Sequence, residues 1–513
     1  MKNAHQSPQL HLMISPPERW TRVFRALVLS LASFLFLNTL YYVVRTANPV
    51  IRSDGWYFLD VFVRKVFDGT LTFGDFFVKR AGADHAQPLF KLLMLGELRF
   101  FDLDFTVESI VGLFSAAACV AILWKIVATT FRSEHRDFAR YLAWLAMSAI
   151  FFSLKSYDTW TWPLVSLGYL SMVPMLLFVV AAWQSWNRGR YVWLVAITLL
   201  LGIIDDDGAI MVVAATLGAI ALVLLCDPVQ RRREAWITLA VVIGCTLAVR
   251  VGYSFAIVSD GPPNQPLSSY MHILSGLVIS EGARWISIPL ALSVLPPDAP
   301  HSMHVVTWHA LQWLVAGLLV IAHLWFWCHA LKRDCNLAKF SAICLMLLFY
   351  AWLAGILVYR VPEYGTSYFY QDRYVQLYQF NLIALLLMWT SIFQFEALQS
   401  LWRRRIATII PVLACLLLIG LQIPYTRAAW YQRRFLVTYY HAMAVRLIQL
   451  ADEPARTDGC EPELSVCGYP LDERRELLKI LTDNQLNVFS LRVRQWHPFL
   501  RNLPIEKPQA QGH

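Results

Sequence analysis

A chain of 513 residues could fill about three to four soluble domains, but 57% of it is hydrophobic and only 15% charged, against about 25% charged in soluble domains. That balance excludes a soluble enzyme and a disordered chain, and nine cysteines over this length exclude a disulfide-dense scaffold. The net charge of +9, from 44 Lys+Arg and 35 Asp+Glu, sits in short clusters between long apolar runs, which is how a polytopic membrane protein is wired and not how a nucleic-acid surface is built.

In chain order, the residues before 22 precede the first apolar run, near 23–44. No small-residue cleavage site precedes that run, so it reads as an uncleaved anchor. Further runs approaching the ~20 residues that cross a bilayer lie near 105–128, 139–154, 164–183, 191–204, 209–226, 235–258, 305–330, 340–358, 374–396 and 406–423. The fold class expected is therefore an all-α polytopic membrane protein of about eleven transmembrane helices. The runs at 139–154 and 191–204 are short and suit tilted or partly re-entrant helices.

Lys and Arg concentrate on the cytoplasmic side, and every second connection here is basic. The clusters are Arg19, Arg22 and Arg25; Arg132, Arg136 and Arg140; Arg188 and Arg190; Arg231, Arg232 and Arg233; Lys332, Arg333 and Lys339; and Arg403, Arg404 and Arg405. This predicts a cytoplasmic N-terminal segment (1–22), a multi-span domain (23–423) and an extracytoplasmic C-terminal domain (424–513). The external connections are then 45–104, 155–163, 205–208, 259–304 and 359–373. Within the first, 55–67 and 86–101 carry helical apolar spacing and read as interfacial helices. The second could instead be a twelfth span, at the expense of the charge phase.

The polar tail shows helical stretches around 432–450 and 471–482 and holds Cys460 and Cys467. An oxidising outer compartment permits a bridge between them; the alternative is two unpaired thiols in a loop. There is no Walker loop, dinucleotide-binding glycine pattern, His-Glu-x-x-His or metal-type Cys pair, so ATP-driven transport by this chain alone is not expected.

The polar outer segments carry the candidate chemistry. Asp54, within Ser53-Asp54-Gly55-Trp56-Tyr57-Phe58, places a carboxylate at the membrane surface, suited to a general base for a hydroxyl or, equally, to capping a helix at Gly55. Asp84, His85 and Gln87 stand just before Pro88 and can bind sugar hydroxyls or a phosphate, or cap the helix that Pro88 opens. Asp205, Asp206 and Asp207 concentrate oxygen ligands of the kind Mg²⁺, Mn²⁺ or Ca²⁺ prefers, given further ligands such as Asp54 or Asp158. Arg373, beside Asp372, can grip a lipid phosphate, with Arg360 a second choice and Glu363 nearby, or these cations can anchor to headgroups without a specific partner. Arg250 lies inside a span, where a charge is a functional-site hypothesis, unless it snorkels outward. Trp160 and Trp162 can stack on a sugar or belong to the interfacial belt.

On these positions the chain resembles the GT-C superfamily of integral-membrane glycosyltransferases that use polyprenyl-phosphate sugars. The likeness rests on an N-in first span, a large first external loop with two interfacial helices, an early outer acid at Asp54, later outer acids and an extracytoplasmic C-terminal domain. It implies that Asp54 is the base or a metal contact and that Arg373 holds the donor phosphate. Many members show paired acids where this chain has Ser53-Asp54-Gly55, which leaves the metal requirement open. The implied activity is transfer of a sugar from a polyprenyl-phosphate donor to a glycan, lipid or protein acceptor at the periplasmic face of a bacterial inner membrane, with a divalent cation (Mg or Mn) as a conceivable cofactor. The rivals are a membrane polysaccharide polymerase or ligase, and a lipid-linked sugar transporter or flippase. Carriers usually need ionisable groups near mid-membrane, and Arg250 and His323 are almost alone there.

Overall fold

The computed structural model describes residues 18–78, 87–130, 137–204, 206–226, 232–256, 267–392 and 401–503. Among these the chain is helical, with no strand. Ten helices are long and apolar enough to cross a membrane, and two more, Phe138–Phe151 and Val192–Ile204, are apolar but shorter. The chain is thus an all-α, multi-pass membrane protein.

Burial sorts the helices into layers. In Asp372–Ile392, 83% of the most apolar window is buried, against 28% in Thr21–Thr46 and 17% in Val305–Ala330. The first is the central post and the others face lipid. Its polar residues Gln376, Gln379 and Asn381 are therefore turned into protein. Two close approaches fix what stands beside it. A Cβ on Gly112 would lie 2.4 Å from the Ser166 carbonyl oxygen, and one on Gly168 would lie 2.4 Å from Gln376 Oε1. Only glycine lets the 158–168 segment wedge between the Thr106–Thr130 and Asp372–Ile392 helices, and Gln376 Nε2 then donates to the Val165 carbonyl at 2.9 Å.

The 259–304 connection, expected as a loop, contains a 28-residue helix, Leu267–Val294. His272, Glu281 and Arg284 dilute its hydropathy to a mean of 1.3 in its best window, so a search for unbroken apolar runs passes over it. Its contacts show how it lies. Near its start, Tyr270 meets Tyr359 at 6.1 Å between rings; further on, Trp285 Nε1 donates to Thr366 Oγ1 at 3.2 Å; near its end, Lys155 Nζ donates to the Leu292 carbonyl at 2.8 Å. Tyr359, Thr366 and Lys155 all belong to connections at one end of the bundle, here termed the loop face. From Tyr270 to Leu292 a helix rises about 33 Å, a full bilayer core, so both ends can touch that face only if the helix runs along it.

The first long connection forms a second apolar core together with the tail. The 54–67 segment is helical, with a π-helical middle at Leu59–Val63, and Pro88–Phe100 follows with Pro at its first turn. Thirteen residues rise about 20 Å, too little to cross, and this helix packs Met94 into a core with Trp56, Phe62, Leu447, Leu477 and Val488. The chain leaves the bundle as helix Leu401–Gly420 and continues through Leu421 into Gln422–Asp452. The tail then clamps onto the first connection. Asn487 Nδ2 donates to the carbonyls of Pro49 and Leu103, each at 2.7 Å, and His497 Nε2 lies 2.8 Å from Asp104 Oδ2.

Candidate functional site

At the loop face the wedge described above delivers Asp158 to the start of the central helix, where Asp372 begins it. The two carboxyls are hydrogen-bonded to each other. Ser156 Oγ donates to Asp372 Oδ1 at 2.6 Å and Thr161 Oγ1 to Asp158 Oδ1 at 3.3 Å. Two carboxylates brought together in this way cannot both ionise cheaply. Loss of water holds Asp158 above the usual carboxylate range, opposed chiefly by the charge of Arg52. Asp298, from the Pro-rich turn after the Leu267–Val294 helix, is a third acid: its charge and those of Asp158 and Asp372, after burial, push the Tyr157 hydroxyl upward.

Arg52 is the hub of this arrangement. Its guanidinium lies 4.3 Å from the Trp162 ring centroid, and its Nε is buried with no hydrogen-bond acceptor among the described residues. Arg52 also lines a narrow crevice with Gly55, Phe58, Phe105, Glu108 and Trp162. Behind the crevice Glu97 is fully buried, and neither of its carboxylate oxygens finds a donor among the described residues. Burial, then the charges of Glu108 and Asp104, hold Glu97 well above its ordinary pKa.

Asp54 is half-buried and opens the Asp54–Phe58 helix from its first turn, two residues from Arg52, where the helix dipole favours a carboxylate. Residue 53, not Asp54, occupies the cap position, and Ser53 stands at φ 47° without a side-chain capping bond. Gln87 holds the cap position of Pro88–Phe100, also without a side-chain capping bond. Arg373 donates to the Tyr368 hydroxyl and lies 5.3 Å from the rings of both Tyr368 and Tyr374. Tyr364 stacks on Tyr368 at 4.5 Å, Arg360 is half-buried and Glu363 exposed. This group of a cation and tyrosines stands one residue along the same helix from Asp372, about 100° around its axis.

Asp84, His85 and Asp205 lie outside the described residues. Asp206 and Asp207 begin the Asp206–Cys226 helix, and their side chains lie outside the described ones too. Among the described residues no three His, Cys, Asp or Glu side chains are placed to hold a metal ion. Cys460 and Cys467 are disulfide-bonded.

Sequence reasoning missed Arg52, Asp298, Glu97, Glu108 and Lys155. Lys155 Nζ donates to the carbonyls of Leu292 and Ser293, and burial holds it well below its ordinary pKa. Charges standing inside or against apolar runs were the available signal for Glu97, Glu108 and Lys155. For Asp298 it was an acid bracketed by prolines, and Arg52 offered none beyond its closeness to Asp54. No family model, curated protein or solved structure matches this chain.

Proposed function

We propose that this chain is a membrane glycosyltransferase of GT-C type, moving a sugar from a polyprenyl-phosphate donor to an acceptor hydroxyl at the outer face of a bacterial inner membrane. The observation that carries the reading is the presence, at one face of the bundle, of two neighbouring acids, Asp158 and Asp372, together with Arg373 and its tyrosines. Such a transfer needs a base for the acceptor and positive charge for the departing phosphate. In the proposed step the acceptor oxygen bonds to the sugar's anomeric carbon as the carbon–oxygen bond to phosphate breaks. The acceptor proton passes to a carboxylate, and the lipid phosphate leaves paired with Arg373, with Arg360 as a second cation. Asp54 is the assigned base, and Asp158–Asp372 is the alternative proton acceptor.

Orientation belongs to the same proposal. With Leu267–Val294 lying along the loop face, nine long helices and the two short ones cross among the described residues, and the described members of the basic clusters fall opposite that face. The loop face is then external, where an oxidising compartment suits the Cys460–Cys467 bridge. The divalent cation that the Asp205, Asp206 and Asp207 run suggests is tested by chelation: activity of the purified enzyme that falls with chelator and returns with Mg²⁺ or Mn²⁺ supports it, and activity indifferent to chelator removes it.

The test is transfer from a radiolabelled polyprenyl-phosphate sugar in membranes carrying the overproduced protein. Asp54→Asn is expected to lower transfer by about 100-fold or more with the protein still inserted, and Arg373→Ala to raise the donor KM. Absence of transfer with every common lipid-phosphate sugar in wild-type membranes would sink the reading. Full activity in Asp54→Asn moves the base to the Asp158–Asp372 pair.

A further inference from the structure

Ser53, the residue before the assigned base, sits at φ 47°, a backbone state that a non-glycine residue keeps only when its surroundings impose it. The surroundings here come from the far end of the chain. The Ser53 amide donates to the Glu463 carbonyl at 2.6 Å, and Ser465 Oγ donates to the Ser53 carbonyl at 3.4 Å. Both partners belong to the loop that the Cys460–Cys467 disulfide closes. We propose that this disulfide-closed hairpin is a positioning element for the reaction centre, holding the Arg52–Asp54 backbone in its constrained shape, with Glu463 and Ser465 as the positioning residues.

The hairpin is built to be stiff. The Arg474 guanidinium fans into it, donating to the carbonyls of Val466 at 3.1 Å, Cys467 at 2.6 Å and Tyr469 at 2.7 Å, and to Pro454 at 2.6 Å. Tyr439 donates its hydroxyl to the Glu463 carboxylate, which fixes the residue whose backbone grips Ser53. A surface loop with no task has no need of a covalent closure, a buried guanidinium and a tyrosine strut. The hairpin's hydrogen bonds to this segment fall on the 53 position, while Asn487 takes the flanking Pro49 carbonyl and Ile51 amide. The 49–53 stretch is thereby pinned at three places by the tail before it turns into the Asp54–Phe58 helix.

The proposal assigns this segment its role through the glycosyltransferase reading, but the hold itself is measured without substrate. Hydrogen–deuterium exchange on the full-length protein in nanodiscs compares wild type with Ser465→Ala and with the double variant Cys460→Ser, Cys467→Ser. Amides of 50–58 are expected to exchange at least about tenfold faster in both variants, with the Leu337–Tyr359 helix unchanged. Unaltered exchange over 50–58 in Ser465→Ala and the double variant overturns the proposal. Should the double variant loosen the bundle as well, Ser465→Ala, which keeps the bridge, decides alone. In the transfer assay, Ser465→Ala is expected to lower kcat several-fold at constant donor KM, and an unchanged kcat also overturns it. Wild type without transfer but with hairpin-dependent exchange refutes the glycosyltransferase reading and leaves the hold standing.

Discussion

Glu97 shows how a buried charge is legible in structure and opaque in sequence. Within Leu95-Gly96-Glu97-Leu98 it reads as one polar residue on an interfacial helix; folded, it is fully buried beside Glu108 and Asp104. Its folded pKa is raised, so in the folded state it keeps a proton that the unfolded chain has already lost. The unfolded state therefore binds fewer protons, and stability falls as pH rises from the unfolded carboxylate value, near 4.3, through the raised folded value. Glu97→Gln removes this dependence. The melting temperature of the variant should fall less steeply than that of wild type as pH rises above the unfolded carboxylate value. A wild-type profile as flat as the variant's would refute the assignment. By contrast, Asp54, Asp372 and Arg373 were legible because each stands in a polar motif between apolar runs. What the motifs could not give was which acids meet, since Asp158, Asp298 and Asp372 come from three distant connections.

Among the elements, the 158–168 wedge decides the geometry of the acid pair, and glycine decides the wedge. Its sequence, Asp158-Thr159-Trp160-Thr161-Trp162-Pro163, signals an irregular outer connection, yet nothing in it says that it inserts between two spans. Backbone oxygen cannot yield as a flexible side chain can, so Gly112→Ala sets a methyl against the Ser166 carbonyl at 2.4 Å and must push the Thr106–Thr130 helix and the wedge apart. A loss of about 1–3 kcal/mol is expected, read as a lower melting temperature in detergent, and with it lowered transfer as Asp158 shifts from Asp372. Gly244→Ala, where an added Cβ meets nothing within 4 Å, is the control and should be neutral or slightly stabilising. Equal effects at the two sites would show that the close approach does not govern the wedge. Lys91 works in the same way in the first connection. It donates to the carbonyls of Asp75 at 2.9 Å, Phe76 at 3.2 Å and Val78 at 2.8 Å, and burial brings its pKa down to about 8. Lys91→Met leaves those carbonyls without their donor and is expected to cost about 1–3 kcal/mol, measured as the melting temperature.

For the whole molecule, helical class and membrane residence follow from composition and run length, which is why they were legible; the proposed sidedness rests on charge alternation and turns on how one helix lies. Leu267–Val294 has the length of a span, and counting it as a crossing would put the Lys332, Arg333 and Lys339 cluster on the side of Asp158 and would send Asp372 to the other side, away from the acid it meets. Its contacts with Tyr359, Thr366 and Lys155 keep it on the loop face, so the cluster stays opposite the acids. The expectation can be read in intact cells with a membrane-impermeant maleimide on single-cysteine additions. In the proposed orientation Lys332→Cys should label only after the inner membrane is opened, whereas Asp458→Cys, in the tail beside the disulfide hairpin, should label once the outer barrier alone is passed. Both positions are exposed, so protection reports the compartment and not burial. If the two behave alike, one of the intervening helices does not cross, and the tail and the basic loop share a compartment. The reverse pattern would put the carboxyl pair in the cytosol, where a donor presented at the outer leaflet cannot reach it and a reducing environment would open the Cys460–Cys467 bridge.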